Sequence, residues 1–192
     1  MIKILGGIAR GFILATPKVE TTRPTSILVR RKLFDWRQRM DEHSFIDLFA
    51  GSGAMGFEAL SRGAEKVSFN DTHKSAFITV KQNQAAIEKA FKFSADQFFI
   101  SQLDARKWID KELKFQFPET ENVVLYIDPP YSEHKIYFEV LDKLKEVNFS
   151  GEIWLESDRL KGPKKEELIG AFSSIIKIVE QGDHFVVVGK LV

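Results

Sequence analysis

With 192 residues, 44% hydrophobic, 12% aromatic and 29% charged, the chain has the composition of a globular protein of one domain, able to bury a core without a disulfide or metal staple. The absence of cysteine excludes disulfides, thiolate metal sites and cysteine nucleophiles, and the four histidines (His43, His73, His134, His184) stand at no ligand spacing, so no metal site is expected. No apolar run approaches the roughly 20 residues of a membrane span, and the opening MIKILGGIARG lacks a signal peptide's long apolar core. A cytoplasmic monomer without a membrane partner is expected. The net charge is only +1, yet residues 1–40 hold nine Lys and Arg against two acids, a local +7, while the remainder carries −6. That asymmetry points to a polyanionic partner; a helix with a solvated basic face is the plainer alternative.

In chain order, IKILGGIARGFILATP reads as short extended segments, a hairpin broken by Gly6-Gly7 and Gly11. Arg23-Pro24-Thr25 then opens a helix, proline suiting its first turn. Residues 1–40 thus form a basic extension, and 41–192 a larger domain. Phe45–Phe49 is a short apolar strand that runs into glycines and a helix reaching about Arg62. Val67–Asp71 is a strand, His73 to about Phe91 a long helix, Phe98–Gln102 a strand and Ala105–Leu113 a helix. Val123–Ile127 is a continuous apolar run, the pattern of a strand buried on both faces. Ile136, Val140, Leu141, Leu144 and Val147 mark one helix face, and Ile153–Leu155 is a strand. Ser174–Val179 and Phe185–Val192 flank Gln181-Gly182-Asp183 as a hairpin. The alternation predicts an α/β, Rossmann-like fold: a mostly parallel seven-stranded sheet with helices on both faces and an antiparallel hairpin at its end.

Gly51, Gly53 and Gly56 form a G-x-G-x-x-G turn after the first core strand, and Asp71 follows Gly51 by 20 residues at the end of the next. Glycines let backbone approach a ligand closely, and an acid at that distance can bind ribose hydroxyls. A nicotinamide dinucleotide and S-adenosylmethionine both fit this pattern. Asp47, inside the strand, separates them. A buried carboxylate needs a partner; it can orient the loop or meet the ammonium of S-adenosylmethionine, whereas it would repel a pyrophosphate. Asp47, Phe49, Gly51, Gly53 and Asp71 are therefore candidate cofactor residues.

Asp128-Pro129-Pro130-Tyr131 directly follows the strand Val123–Ile127. Carboxyl ends of parallel strands line one crevice, so this tetrapeptide should face the glycine turn. The exocyclic nitrogen of a base is a poor nucleophile because its lone pair is delocalised into the ring. Hydrogen bonds from its N–H groups to Asp128 and a prolyl carbonyl would turn that lone pair toward a methyl donor, and prolines donate no competing bond. Tyr131 offers a face for the base to stack on. A proline-rich turn with no function is the alternative, as is an oxidoreductase that leaves Asp128–Tyr131 unexplained.

With these motifs in place, the chain resembles the 16S ribosomal RNA guanine-N2 methyltransferases of the ribosomal small-subunit methyltransferase D type over essentially its full length. The resemblance rests on Gly6-Gly7 with Arg10-Gly11, Arg23-Pro24-Thr25, Val29-Arg30 with Leu33-Phe34, Asp47–Gly56, Glu58–Ala64 and Asp128–Tyr131. It implies a methyltransferase using S-adenosylmethionine, with Asp71 on the ribose, Asp104 and Ala105 at the adenine, and ribosomal RNA or the small ribosomal subunit as partner. It also implies RNA contacts from the N-terminal extension, for which Arg10, Arg23, Thr25 and Arg30 are the candidates. Ile27, Leu28, Arg31 and His73 depart from the family's usual residues, and Glu156 matches a family carboxylate that an ordinary ion pair would equally explain. DNA-adenine amino-methyltransferases share the two motifs but carry an added recognition domain for which 192 residues leave no room.

Overall fold

The computed structural model describes residues 2–17 and 27–192; Arg23-Pro24-Thr25, and with it the expected helix start and two expected RNA contacts, lies outside them. Strands Ile2–Lys3 (β1) and Ile13–Leu14 (β2) pair antiparallel as a small hairpin, and Ile27–Trp36 forms α1. The alternation that follows is Ser44–Asp47 (β3), Ala54–Ser61 (α2), Val67–Asn70 (β4), Lys74–Phe91 (α3) and Phe98–Ser101 (β5). Next come Ala105–Trp108 (α4), Lys114–Gln116 (α5), Val123–Ile127 (β6), His134–Glu146 (α6) and Glu152–Asp158 (β7). Lys165–Ile169 (α7), Ser174–Gln181 (β8) and His184–Lys190 (β9) complete the chain.

Among the described residues the main sheet has seven strands in the order β5-β4-β3-β6-β7-β9-β8. The first five are parallel, and β9 runs antiparallel to both β7 and β8. Successive residues of a strand face opposite sides of the sheet, and here both sides are covered. Phe45, Phe69, Val124, Tyr126 and Trp154 join one cluster with residues of α1, α2 and α3. Ile46, Leu125, Ile127, Ile153 and Leu155 join the other with α4, α6 and α7. The apolar run of β6 is thus explained: all five of its residues are buried.

Two elements differ from expectation. The helix after β5 keeps α-helical form for one turn and then widens into a π-helical turn over Ile109–Leu113. Strand β7 extends to Asp158, past the apolar Ile153–Leu155, because β6 and β9 flank it and bury even its polar residues. The short α7 had no periodic signal to announce it.

Residue 40 marks a change of sheet and of charge, but the hydrophobic core runs through it. Ile2, Ile4, Ala9 and Leu14, with Val29, Leu33 and Phe34 of α1, share a cluster with Phe45 and Phe57. Polar bonds fasten the hairpin to α2: Leu5 N–H donates to Glu58 Oε2 (2.7 Å), Ala9 N–H to Ser61 Oγ (2.9 Å), and Ser61 Oγ to the Gly6 carbonyl (2.6 Å).

This docking corrects the expected phosphate contact at Arg30. Its side chain is 1% exposed, with Nη2 donating to the Lys3 carbonyl at 2.7 Å and Nε 3.9 Å from Glu58 Oε2. Glu58, fully buried, also accepts from Arg62 Nε at 2.8 Å. Burial pulls the Arg30 guanidinium below its ordinary pKa, and the Glu58 charge opposes that pull. Sequence could not distinguish a solvated arginine from one folded inward, because its partners lie 27 and 28 positions away. Arg30→Ala should lower the unfolding free energy by about 3 kcal/mol, the low end for breaking a buried pair because Arg62 still neutralises Glu58. Urea titration tests this, and an unchanged midpoint would place the side chain in solvent.

Candidate cofactor and acceptor site

The strand order reverses between β3 and β6, since β4 and β5 extend the sheet one way and β7 the other. Crossover helices leave the sheet on opposite sides at such a point, opening a crevice at the carboxyl ends of the two strands. Asp47 of β3 is in register with Tyr126 of β6, and Leu48 N–H donates to the Tyr126 carbonyl at 3.1 Å. The glycine turn and Asp128–Tyr131 therefore leave adjacent strands side by side.

The glycine turn is shaped by backbone demands. Gly51 has φ 53°, and a Cβ built there would meet nothing within 4 Å, so the turn opens onto free space at that residue. Gly53 N–H closes the turn on the Ala50 carbonyl (2.6 Å). At Gly56 a Cβ would stand 2.4 Å from a ring carbon of Phe69; only glycine lets α2 lie this close to β4. Asp47 Oδ2 accepts from Gly56 N–H at 3.1 Å. Asp71 binds the same turn from the neighbouring strand, its Oδ2 accepting from Gly51 N–H (2.9 Å) and its Oδ1 from His73 N–H (2.8 Å).

Asp104 caps α4, accepting from the Arg106 and Lys107 amides. The Arg106 guanidinium grips both its oxygens (2.9 and 2.6 Å) and holds its pKa down to about 2. Ala105 is buried behind it, and Phe49 is half-buried against the α4–α6 side of the core. At the end of β6, Asp128 and Tyr131 are half-buried, Pro129 is buried and Pro130 exposed. Tyr137 of α6 donates to the Pro129 carbonyl at 3.4 Å. Burial first, then the Asp128 and Glu156 charges, keep the Tyr131 hydroxyl protonated well above the ordinary tyrosine range.

The structure thus brings Asp47, Gly51, Gly53 and Asp71 together through direct backbone bonds, with Asp128–Tyr131 beside them. Asp104 joins through Asn70, whose side chain donates to the Leu48 and Leu103 carbonyls (3.2 and 3.0 Å) and accepts from Leu103 N–H (3.1 Å). Arg10 stands elsewhere: it is exposed in the hairpin turn that docks on the C-terminal end of α2. Sequence reasoning missed Asn70, which carried a faint signal as a buried-strand polar residue next to Asp71. It also missed Asn83 of α3, whose Oδ1 accepts from Ala15 N–H (2.8 Å) and whose amide donates to the Ala15 and Ser52 carbonyls (3.1 and 3.0 Å).

Parallel order, switch point, glycine turn and the Asp-Pro-Pro-Tyr turn together define the S-adenosylmethionine-dependent methyltransferase class. The Escherichia coli protein yhhF has the same fold: TM-score 0.76, 23% identity, 99% of this chain and 98% of that one covered. Ribosomal RNA small subunit methyltransferase D of Haemophilus influenzae is 34% identical over 131 residues, 68% of this chain and 64% of that protein. Bacillus subtilis YlbH, an rRNA methyltransferase by name, is 31% identical over 161 residues, covering 82% and 83%. The family described as conserved hypothetical protein 95 matches residues 2–181, and the chain belongs to it, the family of ribosomal RNA small subunit methyltransferase D.

Asp47 is 2% exposed, and burial pushes its pKa up to about 8, with the Asp71 charge adding to the rise and the Gly56 amide opposing it. Because the folded value exceeds the ordinary 3.8, the folded state holds this proton more tightly than the unfolded chain. The resulting stability is complete below about pH 4 and is lost as pH rises to about 8. Asp47→Asn removes that dependence. Urea midpoints should show the variant gaining on the wild type between about pH 5 and about pH 8, with a constant gap above. Parallel curves across this window would mean that Asp47 is ionised throughout.

Proposed function

We propose that the protein transfers the methyl group of S-adenosylmethionine to the exocyclic N2 amine of a guanine in 16S ribosomal RNA, free or within the small ribosomal subunit. The observation that carries this is the placement of Asp128–Tyr131 at the end of β6, next to the glycine turn that leaves β3. The names of the Haemophilus and Bacillus relatives point to the same substrate class. Such a substrate places the work in the cytoplasm, and the chain acts as a monomer with residues 1–40 serving as its RNA-holding part.

The residues fit the cofactor. Asp47 supplies a buried acid beside the turn, and Gly51 leaves open space where a side chain would otherwise stand. Asp47, Phe49, Gly51 and Gly53 hold the amino-acid end; the ammonium favours the ionised form of Asp47, which gives up its proton as the two meet. Asp71 accepts from the ribose hydroxyls, using lone pairs that its backbone bonds leave over, and Asp104 with Ala105 borders the adenine. When bound, S-adenosylmethionine supplies a methyl group already activated by its sulfonium.

The chain's own part is position and charge. Asp128 Oδ and the Pro129 carbonyl accept the two N–H bonds of the acceptor amine, turning its lone pair toward the methyl group. The Tyr137 bond to Pro129 occupies one lone pair of that carbonyl and steadies its direction. Asp128 Oδ is also placed to take the proton that the amine sheds. The Tyr131 ring stacks on the base. A dinucleotide-dependent oxidoreductase would account for the glycines and Asp71 but would leave Asp128–Tyr131 unused, so it is disfavoured.

Asp128→Ala should slow single-turnover transfer to unmodified small subunits by roughly 10²–10³, the cost of an aligned bond to the reacting group, while the S-adenosylmethionine Kd stays within a few-fold. Near-normal turnover would remove the mechanism, and transfer to adenine in DNA would favour the alternative substrate.

For RNA, Arg10, Arg23 and Thr25 remain the proposed contacts, and Arg31, exposed on α1, joins them now that Arg30 is buried. Each phosphate contact on single strands steepens the salt dependence by about 0.7. Arg10→Ala with Arg31→Ala should flatten the plot of log affinity against log salt by roughly one unit or more, leaving cofactor affinity unchanged. An unaltered slope would move the RNA to another face.

A further inference from the structure

Glu156 lies in the carboxyl half of β7, one residue past its last pairing with β6, and is fully buried. A carboxylate in such a place is costly unless its oxygens are bonded, and among the described residues no lysine or arginine pairs with it. Two tyrosine hydroxyls do so instead. Tyr126 of β6 donates to Oε2, and Tyr131, the last residue of the Asp-Pro-Pro-Tyr turn, donates to Oε1 at 3.0 Å. His184, at the start of β9, brings Nδ1 within 3.1 Å of the Tyr131 hydroxyl and 3.7 Å of Glu156 Oε1. Its ring lies 5.8 Å from that of Tyr131, at 58°.

A hydroxyl has one proton to give. With that proton on Glu156, Tyr131 Oη meets His184 Nδ1–H as an acceptor, which assigns the histidine tautomer from the network. The phenol oxygen is then held by two neighbouring strands, through Glu156 of β7 and His184 of β9, and a ring held at its far end does not swing out of the crevice. Tyr126 fixes the other oxygen of Glu156, so the carboxylate cannot turn away. An isolated tyrosine at the end of a turn would need none of this.

We propose that Glu156 is a positioning residue for methyl transfer: through the Tyr131 hydroxyl it holds in place the ring against which the acceptor base stacks. This rests on the function proposed above, in which Tyr131 faces the base. Glu156 itself touches neither base nor cofactor, so its effect must run through Tyr131 and must appear in the transfer step.

A double-mutant cycle tests it. E156Q nearly preserves shape but turns one acceptor oxygen into a donor, and Y131F keeps the ring while removing the hydroxyl. Single-turnover transfer to unmodified small ribosomal subunits should fall roughly 10- to 100-fold in each, as misplacement of a reacting group does. The double variant should be no slower than the slower single one, because both remove the same contact. The Kd for S-adenosylmethionine should stay within about two-fold and the thermal midpoint of Y131F close to wild type. A full rate in E156Q, or losses that multiply in the double variant, would overturn the positioning role while leaving the proposed function standing. No transfer by the wild type would overturn the function, and this role with it.

Discussion

The parallel pairing of β3 with β6 is the constraint on which the rest of the structure depends. It sets Asp47 opposite Tyr126 and carries the ladder one bond past the strand through Leu48. Because the sheet order turns around at this pair, α2 and α6 depart from it on opposite faces. The glycine turn and the Asp-Pro-Pro-Tyr turn then share one crevice although 77 positions of sequence separate Gly51 from Asp128. A slip of one residue would send Asp47 and Tyr126 to the opposite face, and both turns would lose their alignment together.

A second consequence is the way acids are handled around that crevice. Asp47, Asp71, Asp104, Asp128 and Glu156 all sit at or near the carboxyl ends of parallel strands. Neutral donors satisfy three of them: the Gly56 amide for Asp47, the Gly51 and His73 amides for Asp71, and two tyrosine hydroxyls for Glu156. Amides and hydroxyls bring no positive charge of their own to these acids, so no fixed cation stands against Asp47, Asp71 or Glu156 among the described residues, whereas Arg106 pairs with Asp104. Arginine is used differently. Arg30 and Arg62 close around Glu58, at the far end of α2, where charge neutralisation fastens the N-terminal hairpin to the domain.

The hairpin is therefore no loose appendage. Its apolar residues enter the same cluster as Phe45 and Phe57, and Asn83 ties Ala15 and the Ser52 carbonyl of the glycine turn to one side chain. The basic extension and the glycine turn are thus braced by a shared residue, even though Arg10 and the turn stand at different ends of α2.

Sequence by itself determined what depends on near neighbours. Short apolar runs predicted the seven strands, and the glycine turn and the Asp-Pro-Pro-Tyr turn were legible as motifs because residue types in a fixed order are all that such a motif consists of. What it could not determine was where a polar side chain goes once the strands stack. Arg30 read as a surface cation and is buried, and the apolar limit at Leu155 hid three more residues of β7. Glu156 read equally well as an ordinary ion pair. Its partners, Tyr131 at 25 positions and, across Tyr131, His184 at 53 from that tyrosine, meet only when β6, β7 and β9 lie side by side. Burial and hydrogen-bond partnership are properties of that assembled neighbourhood, so tertiary structure alone decided them.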